Sequence, residues 1–261
     1  MNITLKANAP IAHGAFTDGV DTGNIMEFRK IPIVKDGDIY DIPVISGNAV
    51  RGIIRRNLTR EFFAVNELQD KLTEKEYDKL YAIIGNGGAL GKNVEASVDC
   101  NYQRELRQQL PILSLLGSAC YAFMLNGMVN IGFFKIKCKE LGTNDKSFHD
   151  LLAEVGETRH VDKNIINTEN VDIKPMPYTT EVVIEGAEFD GKIEFAPMAT
   201  EIEKSCLAHG IKLLKTVGGR LARGYGQVSV ITDEELDDAL YCEQLKNIDI
   251  DFIKEFIKRI S

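Results

Sequence analysis

An α+β domain is what this sequence predicts, and three stretches predict it. Asn2 to Ala7 alternates polar and apolar residues as a strand does, with Ile3, Leu5 and Ala7 on one side. Asn48 to Val65 reads as an amphipathic helix, its stripe made by Val50, Ile53, Ile54, Leu58 and Phe62. Met198 to Thr216 reads as a second helix, with Ile202, Leu207, Ile211 and Leu214 inward, and it feeds a glycine-rich turn and an alternating strand, Gln227 to Ile231. Strand–helix–strand units separated by insertions make one α+β domain, and 261 residues suffice for its core.

Between the first strand and the first helix, Pro10 to Gly23 is a loop carrying His13-Gly14, Asp18-Gly19 and Asp21. Asp-Gly pairs are turn formers, although Asp18 and Asp21 also have the chemistry to hold a metal or act as bases. Phe28 to Val34 mixes basic residues with β-formers, Asp36-Gly37 makes a turn, and Ile42 to Ile45 leads to Ser46-Gly47-Asn48, a sensible N-cap. On the helix that follows, Arg51, Arg55, Arg56 and Arg60 are expected opposite the apolar stripe. Arg51/Arg55 and Arg56/Arg60 are like-charge i,i+4 pairs that weaken an isolated helix. Such a face suits a polyanion held at the helix N-terminus, or is simply solvated.

Asn66 to Ile84 and Tyr102 to Leu116 read as helices around a loop, Gly85 to Lys92. That loop resembles a phosphate cradle, but Asn86 and Asn93 stand where a nucleotide-binding P-loop needs Gly and Ser/Thr, which excludes ATP binding. Gly127 to Cys138 alternates like a strand. Residues 140–181 are polar, with few apolar anchors, and predict an exposed excursion that returns at Tyr178-Thr179-Thr180. His149 and His160 lie in no ligand pattern, so no metal is expected there. Glu181 to Ile184 and Phe189 to Phe195 read as a hairpin, and the tail from Asp233 to Ser261 as helical.

The net charge is −8 and the pI about 5.2, which argues against nucleic acid, but the charges are segregated. Acid gathers between Asp233 and Glu255; base gathers from Arg29 to Arg60 and at Arg220 to Arg223. No apolar run reaches about 18 residues and no signal pattern opens the chain, so a soluble, cytoplasmic protein off the membrane is expected. Five cysteines, none in a CxxC pair, argue for reduced thiols and against a structural zinc. Within Thr216 to Val230, Gly218, Gly219, Gly224 and Gly226 surround Arg220, Arg223 and Tyr225. A loop of this kind can be an anion nest with arginine forks and a ring for base stacking. It can equally be a glycine hairpin turn with solvated arginines.

Several of these stretches, in this order, resemble the RAMP superfamily of CRISPR effector proteins, specifically the backbone subunit that multimerises along guide RNA. They are His13-Gly14, Ile42-Pro43-Val44-Ile45-Ser46-Gly47-Asn48-Ala49-Val50-Arg51-Gly52, Leu116-Gly117-Ser118, Thr180-Glu181-Val182-Val183 with Gly186-Ala187-Glu188-Phe189, and the glycine loop Gly218 to Gly226. The resemblance implies a modified RRM-like, ferredoxin-like palm, a helical fingers insertion at about 65–115 and a β-hairpin thumb at about 140–180. In relatives the thumb wedges into the neighbouring subunit's guide segment and flips out every sixth nucleotide. Implied partners are guide RNA, complementary target DNA or RNA, other effector subunits and further copies head-to-tail, without a cofactor. Implied RNA-binding residues are His13, Arg29, Lys30, Asn48, Arg51, Arg55, Arg56, Gly218, Gly219, Arg220, Arg223 and Tyr225. Type III relatives cut target RNA with an aspartate two residues before a proline. The matching proline here is Pro32, and Lys30 stands in that place, which leaves Asp18 or Asp21 as the only substitutes for a ribonuclease. A stand-alone metabolic or ligand-binding protein has no catalytic constellation to support it.

Overall fold

The first strand, β1 (Asn2–Ala7), buries Ile3, Leu5 and Ala7 and leaves Asn2 and Lys6 to solvent, so its period-two pattern is realised. The structure is a computed structural model that describes residues 1–14, 25–91, 99–121, 123–157 and 178–260. After a short β2 (Ile25–Met26), strands β3 (Lys30–Lys35) and β4 (Asp38–Ile45) form a hairpin turning at Asp36-Gly37. Helix α1 (Gly47–Val65) follows at once. The Ser46 hydroxyl caps it by accepting from the Ala49 amide.

Next comes a mostly helical stretch: α2 (Leu68–Lys71), α3 (Glu74–Asn86), β5 (Gly88–Leu90), α4 (Cys100–Gln109), α5 (Pro111–Leu116), β6 (Ser118–Tyr121) and β7 (Met124–Leu125). Two expectations are corrected here. Gly85 and Asn86 belong to α3, and Gly88 to Leu90 pair in parallel with β6, so among the described residues of the expected loop only Gly87 and Gly91 lie outside an element. The helix expected from Tyr102 to Leu116 is two helices, because Pro111 cannot donate an amide and starts a new one.

The strand expected over Gly127 to Cys138 is also two, β8 (Val129–Ile131) and β9 (Phe134–Ile136). A 3₁₀ turn over Phe148–Leu151 then leads to β10 (Leu152–Glu157). Phe148 and Leu151 are buried in the core, so the polar excursion is anchored as far as Glu157. The chain is described again from β11 (Tyr178–Val183), which pairs antiparallel with β10 residue for residue from Leu152–Val183 to Glu157–Tyr178. His160 lies outside the described residues.

Strand β12 (Glu188–Phe195) pairs with β1 on one side and with β8 and β9 on the other. Both of its edges are taken, so β11 and β12 do not form the expected hairpin and sit in different sheets. Helix α6 (Glu201–Lys212), β13 (Val228–Thr232), α7 (Ala239–Lys246) and α8 (Ile250–Arg259) complete the chain.

The main sheet runs β13-β1-β12-β9-β4-β3, with β8 also on β12, and every pairing in it is antiparallel. Its first four strands, taken as fourth, first, third and second, enclose two helices in chain order: β1, α1, β9, β12, α6, β13. Helices α1 and α6 pack together because Gly210 has no side chain. A Cβ there would lie 2.7 Å from Ile54 and 3.1 Å from Leu58. One buried charge pair joins the helical stretch to this core. Glu203 of α6, fully buried, accepts from Arg107 Nε and Nη2 at 2.9 and 2.7 Å and from the Ser114 hydroxyl.

Candidate nucleic-acid interface

Four residues after β1, Ile11 to Gly14, collect most of the residues that the sequence singles out. Ile11 exchanges backbone hydrogen bonds with Val183 of β11, and the Ala12 carbonyl accepts from the Gly219 amide at 2.8 Å. The His13 carbonyl accepts from the Arg29 amide at 2.8 Å, while His13 Nε2 accepts from the Ser46 amide at 3.2 Å. Through one short segment, His13, Arg29, the N-terminus of α1 and the glycine loop are joined. Because Nε2 accepts, the ring proton sits on Nδ1. Burial, with the Arg29 charge adding to it, lowers the His13 pKa to about 4, so the ring is neutral and its visible job is positional.

At the start of α1 the first turn holds no acidic residue, and Asn48 is exposed there. The helix's positive end is left without a carboxylate of its own. Arg51 follows one turn on, half-buried, and burial lowers its pKa. Its Nε is buried without a hydrogen-bond partner among the described residues, and so is the Nε of Arg29. Buried guanidinium N–H groups without acceptors are uncommon in folded proteins. Arg56 is exposed and Arg60 likewise.

Arg55 departs from the expected cationic face. It lies inside, 9% exposed, and donates to the carbonyls of Ile84, Leu116 and Gly117 and to the Ser118 hydroxyl at 2.7 to 3.2 Å. Burial, with Arg51 adding to it, lowers its pKa to about 10, which leaves it charged at neutral pH. Arg55 therefore ties α1 to the α3 and α5 ends, with both terminal nitrogens committed inside the fold. Three residues from Leu58 and seven from Phe62, it borders the apolar stripe itself and turns inward with it, which corrects the expectation that it faces away.

The glycine loop is built from closely packed backbone. Gly218 has φ +79°, and a Cβ there would lie 2.3 Å from the Ala12 carbonyl oxygen. Only glycine meets both demands. Several of its amides are committed within the fold: Gly219 donates to Ala12, Gly226 to Pro10, Arg223 to Arg220 and Gly224 to Leu221. The loop also presents side chains. Arg220, itself in the left-handed region at φ +58°, stacks over the Tyr178 ring at 4.8 Å and pairs with Glu157 Oε2 at 2.8 Å. Arg223 also bonds Glu157 and the Tyr178 hydroxyl, and it lies 5.8 Å over the same ring.

Glu157 thus receives both loop arginines together with the Tyr178 hydroxyl at 2.5 Å. The Tyr178 bond first, then the charges of Arg220 and Arg223 and a bond from Tyr225, hold its carboxyl below the usual range. Lys30 is paired as well, with Glu181 at 3.0 Å, and Glu181 also accepts from the Phe28 amide. Glu157 and Tyr178 were not singled out by sequence. Their arginine partners lie more than 40 residues away, and neither stands in a motif. Asp18 and Asp21 lie outside the described residues.

No family model matches this chain, and no curated protein matches it. Solved structures do. A chain of a Type IV-B CRISPR complex superposes with a TM-score of 0.60 at 19% identity, over 91% of this chain and 96% of that one. Thermofilum pendens Csc2 aligns with a TM-score of 0.45 at 17% identity, over 99% and 74%. A chain of the Type III-B Cmr-beta complex bound to cognate target RNA aligns at 0.48 and 16%, over 91% and 60%. The first of these carries the statement about architecture: this chain has the fold of a Type IV-B CRISPR complex subunit.

Proposed function

We propose that this chain is a guide-RNA-binding backbone subunit of a cytoplasmic CRISPR effector ribonucleoprotein. It multimerises head-to-tail along the guide, beside other effector subunits, and presents the guide to complementary target DNA or RNA. The observation that carries this reading is the junction at Ile11 to Gly14. It draws Arg29, the acid-free start of α1 and the Arg220/Arg223 loop to one short segment, with Arg29 Nε and Arg51 Nε buried and without acceptors. The outer N–H groups of such partly exposed guanidiniums bind phosphate whatever the base sequence, as a guide holder requires. The likeness in fold to a Type IV-B CRISPR complex subunit supports the same reading.

In this reading the strands β13-β1-β12-β9 with α1 and α6 are an RRM-like palm, the stretch from about 65 to 115 is the fingers, and β10 with β11 is the base of the thumb. Arg29, Asn48, Arg51, Arg56, Arg220, Arg223 and Tyr225 contact RNA, while His13, Gly218 and Gly219 position them. Arg55 is left out, since it is buried and both its terminal nitrogens are committed. The subunit holds RNA without cutting it, because Lys30, paired with Glu181, stands where a cleaving relative has its aspartate.

Protein purified from its native source should carry a uniform short RNA. On single strands, binding should weaken with salt by about 0.7 log units per log unit for each phosphate neutralised. Joint replacement of Arg29, Arg51 and Arg220 by alanine should lower that slope alike on unrelated sequences. Salt-independent binding, or loss on one sequence only, would count against the proposal. Labelled RNA complementary to the guide should survive Mg²⁺ or Mn²⁺. Regular cleavage that vanishes in Asp18→Ala or Asp21→Ala would instead establish a ribonuclease.

A further inference from the structure

On the helical side, three groups from distant parts of the chain converge. His209 of α6 has its Nδ1 2.8 Å from Asp238 Oδ2 and 3.5 Å from Cys242 Sγ, and the three ligand atoms all lie within 4.8 Å of one another. Asp238 precedes α7 and Cys242 lies one turn into it. On the far side of the ring, His209 Nε2 lies 2.6 Å from Glu61 Oε2 of α1. The other Asp238 oxygen, Oδ1, takes Lys212 Nζ at 2.7 Å.

A carboxylate only accepts, so Nε2 carries a proton towards Glu61. That leaves Nδ1 facing a second carboxylate oxygen at hydrogen-bond distance, with a sulfur beside it. Something positive must sit between them, either a second ring proton or a cation. A histidine whose remote N–H is held by a carboxylate is the arrangement that orients metal-binding imidazoles. The Asp238 oxygen on the Lys212 side is likewise fixed, which leaves Oδ2 turned to His209 Nδ1.

We infer that His209 Nδ1, Asp238 Oδ2 and Cys242 Sγ form a binding site for a borderline divalent cation, zinc in the first place. Nitrogen, oxygen and sulfur together suit zinc or cobalt and suit magnesium or calcium poorly. Tetrahedral zinc would hold its N and O ligands roughly 3.3 Å apart and its N and S ligands roughly 3.6 Å apart. The Nδ1–Sγ separation already matches, and the Nδ1–Oδ2 separation needs to open by about half an ångström on that geometry. The three side chains are all partly exposed, so a fourth position is open to water. The bound ion would fasten the start of α7 to α6 and, through Glu61, to α1. The site is independent of the proposed RNA role.

The test uses the full chain, stripped with a chelator and titrated with Co²⁺ alone and then Zn²⁺ alone. Expected are one Co²⁺ per chain with a thiolate-to-cobalt charge-transfer band, displacement of that band by Zn²⁺, and a higher melting temperature with zinc. The band should survive Cys100→Ser, the exposed thiol, and disappear in Cys242→Ser. Absence of the band in the wild-type chain would overturn the site, and that reading needs no variant to fold. So would a band that persists in Cys242→Ser, or a melting temperature indifferent to zinc. In any of these cases the positive charge between Nδ1 and Oδ2 is a proton and the cluster is a doubly paired imidazolium.

Discussion

His13 illustrates how one half-buried ring joins sequence to assembly of the site. Its Nε2 takes the Ser46 amide at the α1 cap, and burial with the Arg29 charge lowers its pKa from 6.5 to about 4. The unfolded chain therefore takes up this proton first as pH falls. The contribution of neutral His13 to stability is fully present above about pH 6.5 and drains away as pH drops towards 4. Urea midpoints measured from pH 7 to pH 4 should fall over that window in the wild type and fall less in His13→Gln. Parallel profiles would refute the assignment. Glu157 poses the opposite case, a carboxylate in the place where a phosphate would meet Arg220 and Arg223. Under the RNA-binding proposal it competes with the ligand, so Glu157→Gln should tighten single-stranded RNA binding several-fold at low salt. Weaker binding would mean that Glu157 serves to aim the arginines and not to compete.

At the level of elements, α1 was legible in sequence and its surroundings were not. The Ser46 cap, the apolar stripe and the end near Val65 are all local features, and local features are what periodicity records. The breaks that were missed depend on partners. Gly88 to Leu90 become a strand only because β6 lies beside them, and β11 leaves β12 only because β1, β8 and β9 have filled both edges of β12. Arg55 is the costliest misreading: three residues from Leu58 and seven from Phe62 it borders the apolar stripe, and only its charge argued for the outer face. The two neighbouring arginines should separate cleanly in experiment. Arg55→Ala leaves four oxygens without their donor, and at about 1–3 kcal/mol for each buried group left unsatisfied the chain should lose about 3 kcal/mol or more. Exposed Arg56→Ala should change stability by less than about 0.5 kcal/mol. Equal urea midpoints for the two variants would show that the Arg55 network contributes nothing. Gly218→Ala should also destabilise, by about 1–3 kcal/mol for the φ alone. The approach to Ala12 adds to that cost, and the position of Arg220 should loosen with it.

On the scale of the whole molecule, the candidate interface was legible as a set of residues but not as a place. Basic and glycine-rich stretches stood out because composition marks them, whereas Ile11 and Ala12, which tie β11 and the glycine loop by backbone bonds, carry no compositional signal. The same difference decides how the thumb is to be tested. A deletion drawn from polarity would start near residue 145 and remove Phe148 and Leu151, both buried in the core. The register of β10 and β11 gives a better cut, since Glu157 stands opposite Tyr178 at the open end of the ribbon. Replacing residues 158–177 by Asn-Gly joins those two residues through a two-residue turn whose twist suits a hairpin. Chain length between the strands falls, so the closing entropy falls with it, and the variant should fold with a urea midpoint at or above that of the wild type. Glu157, Arg220 and Arg223 all remain, so single-stranded RNA of one subunit's footprint should bind within a few-fold of wild type. What should be lost is growth along longer RNA, because an open array needs a surface on each copy that fits a different surface on the next. Electron micrographs and sedimentation of both proteins on long RNA give the readout. Arrays of the shortened protein equal to those of the wild type would remove the head-to-tail role from residues 158–177 while leaving the RNA-binding proposal standing.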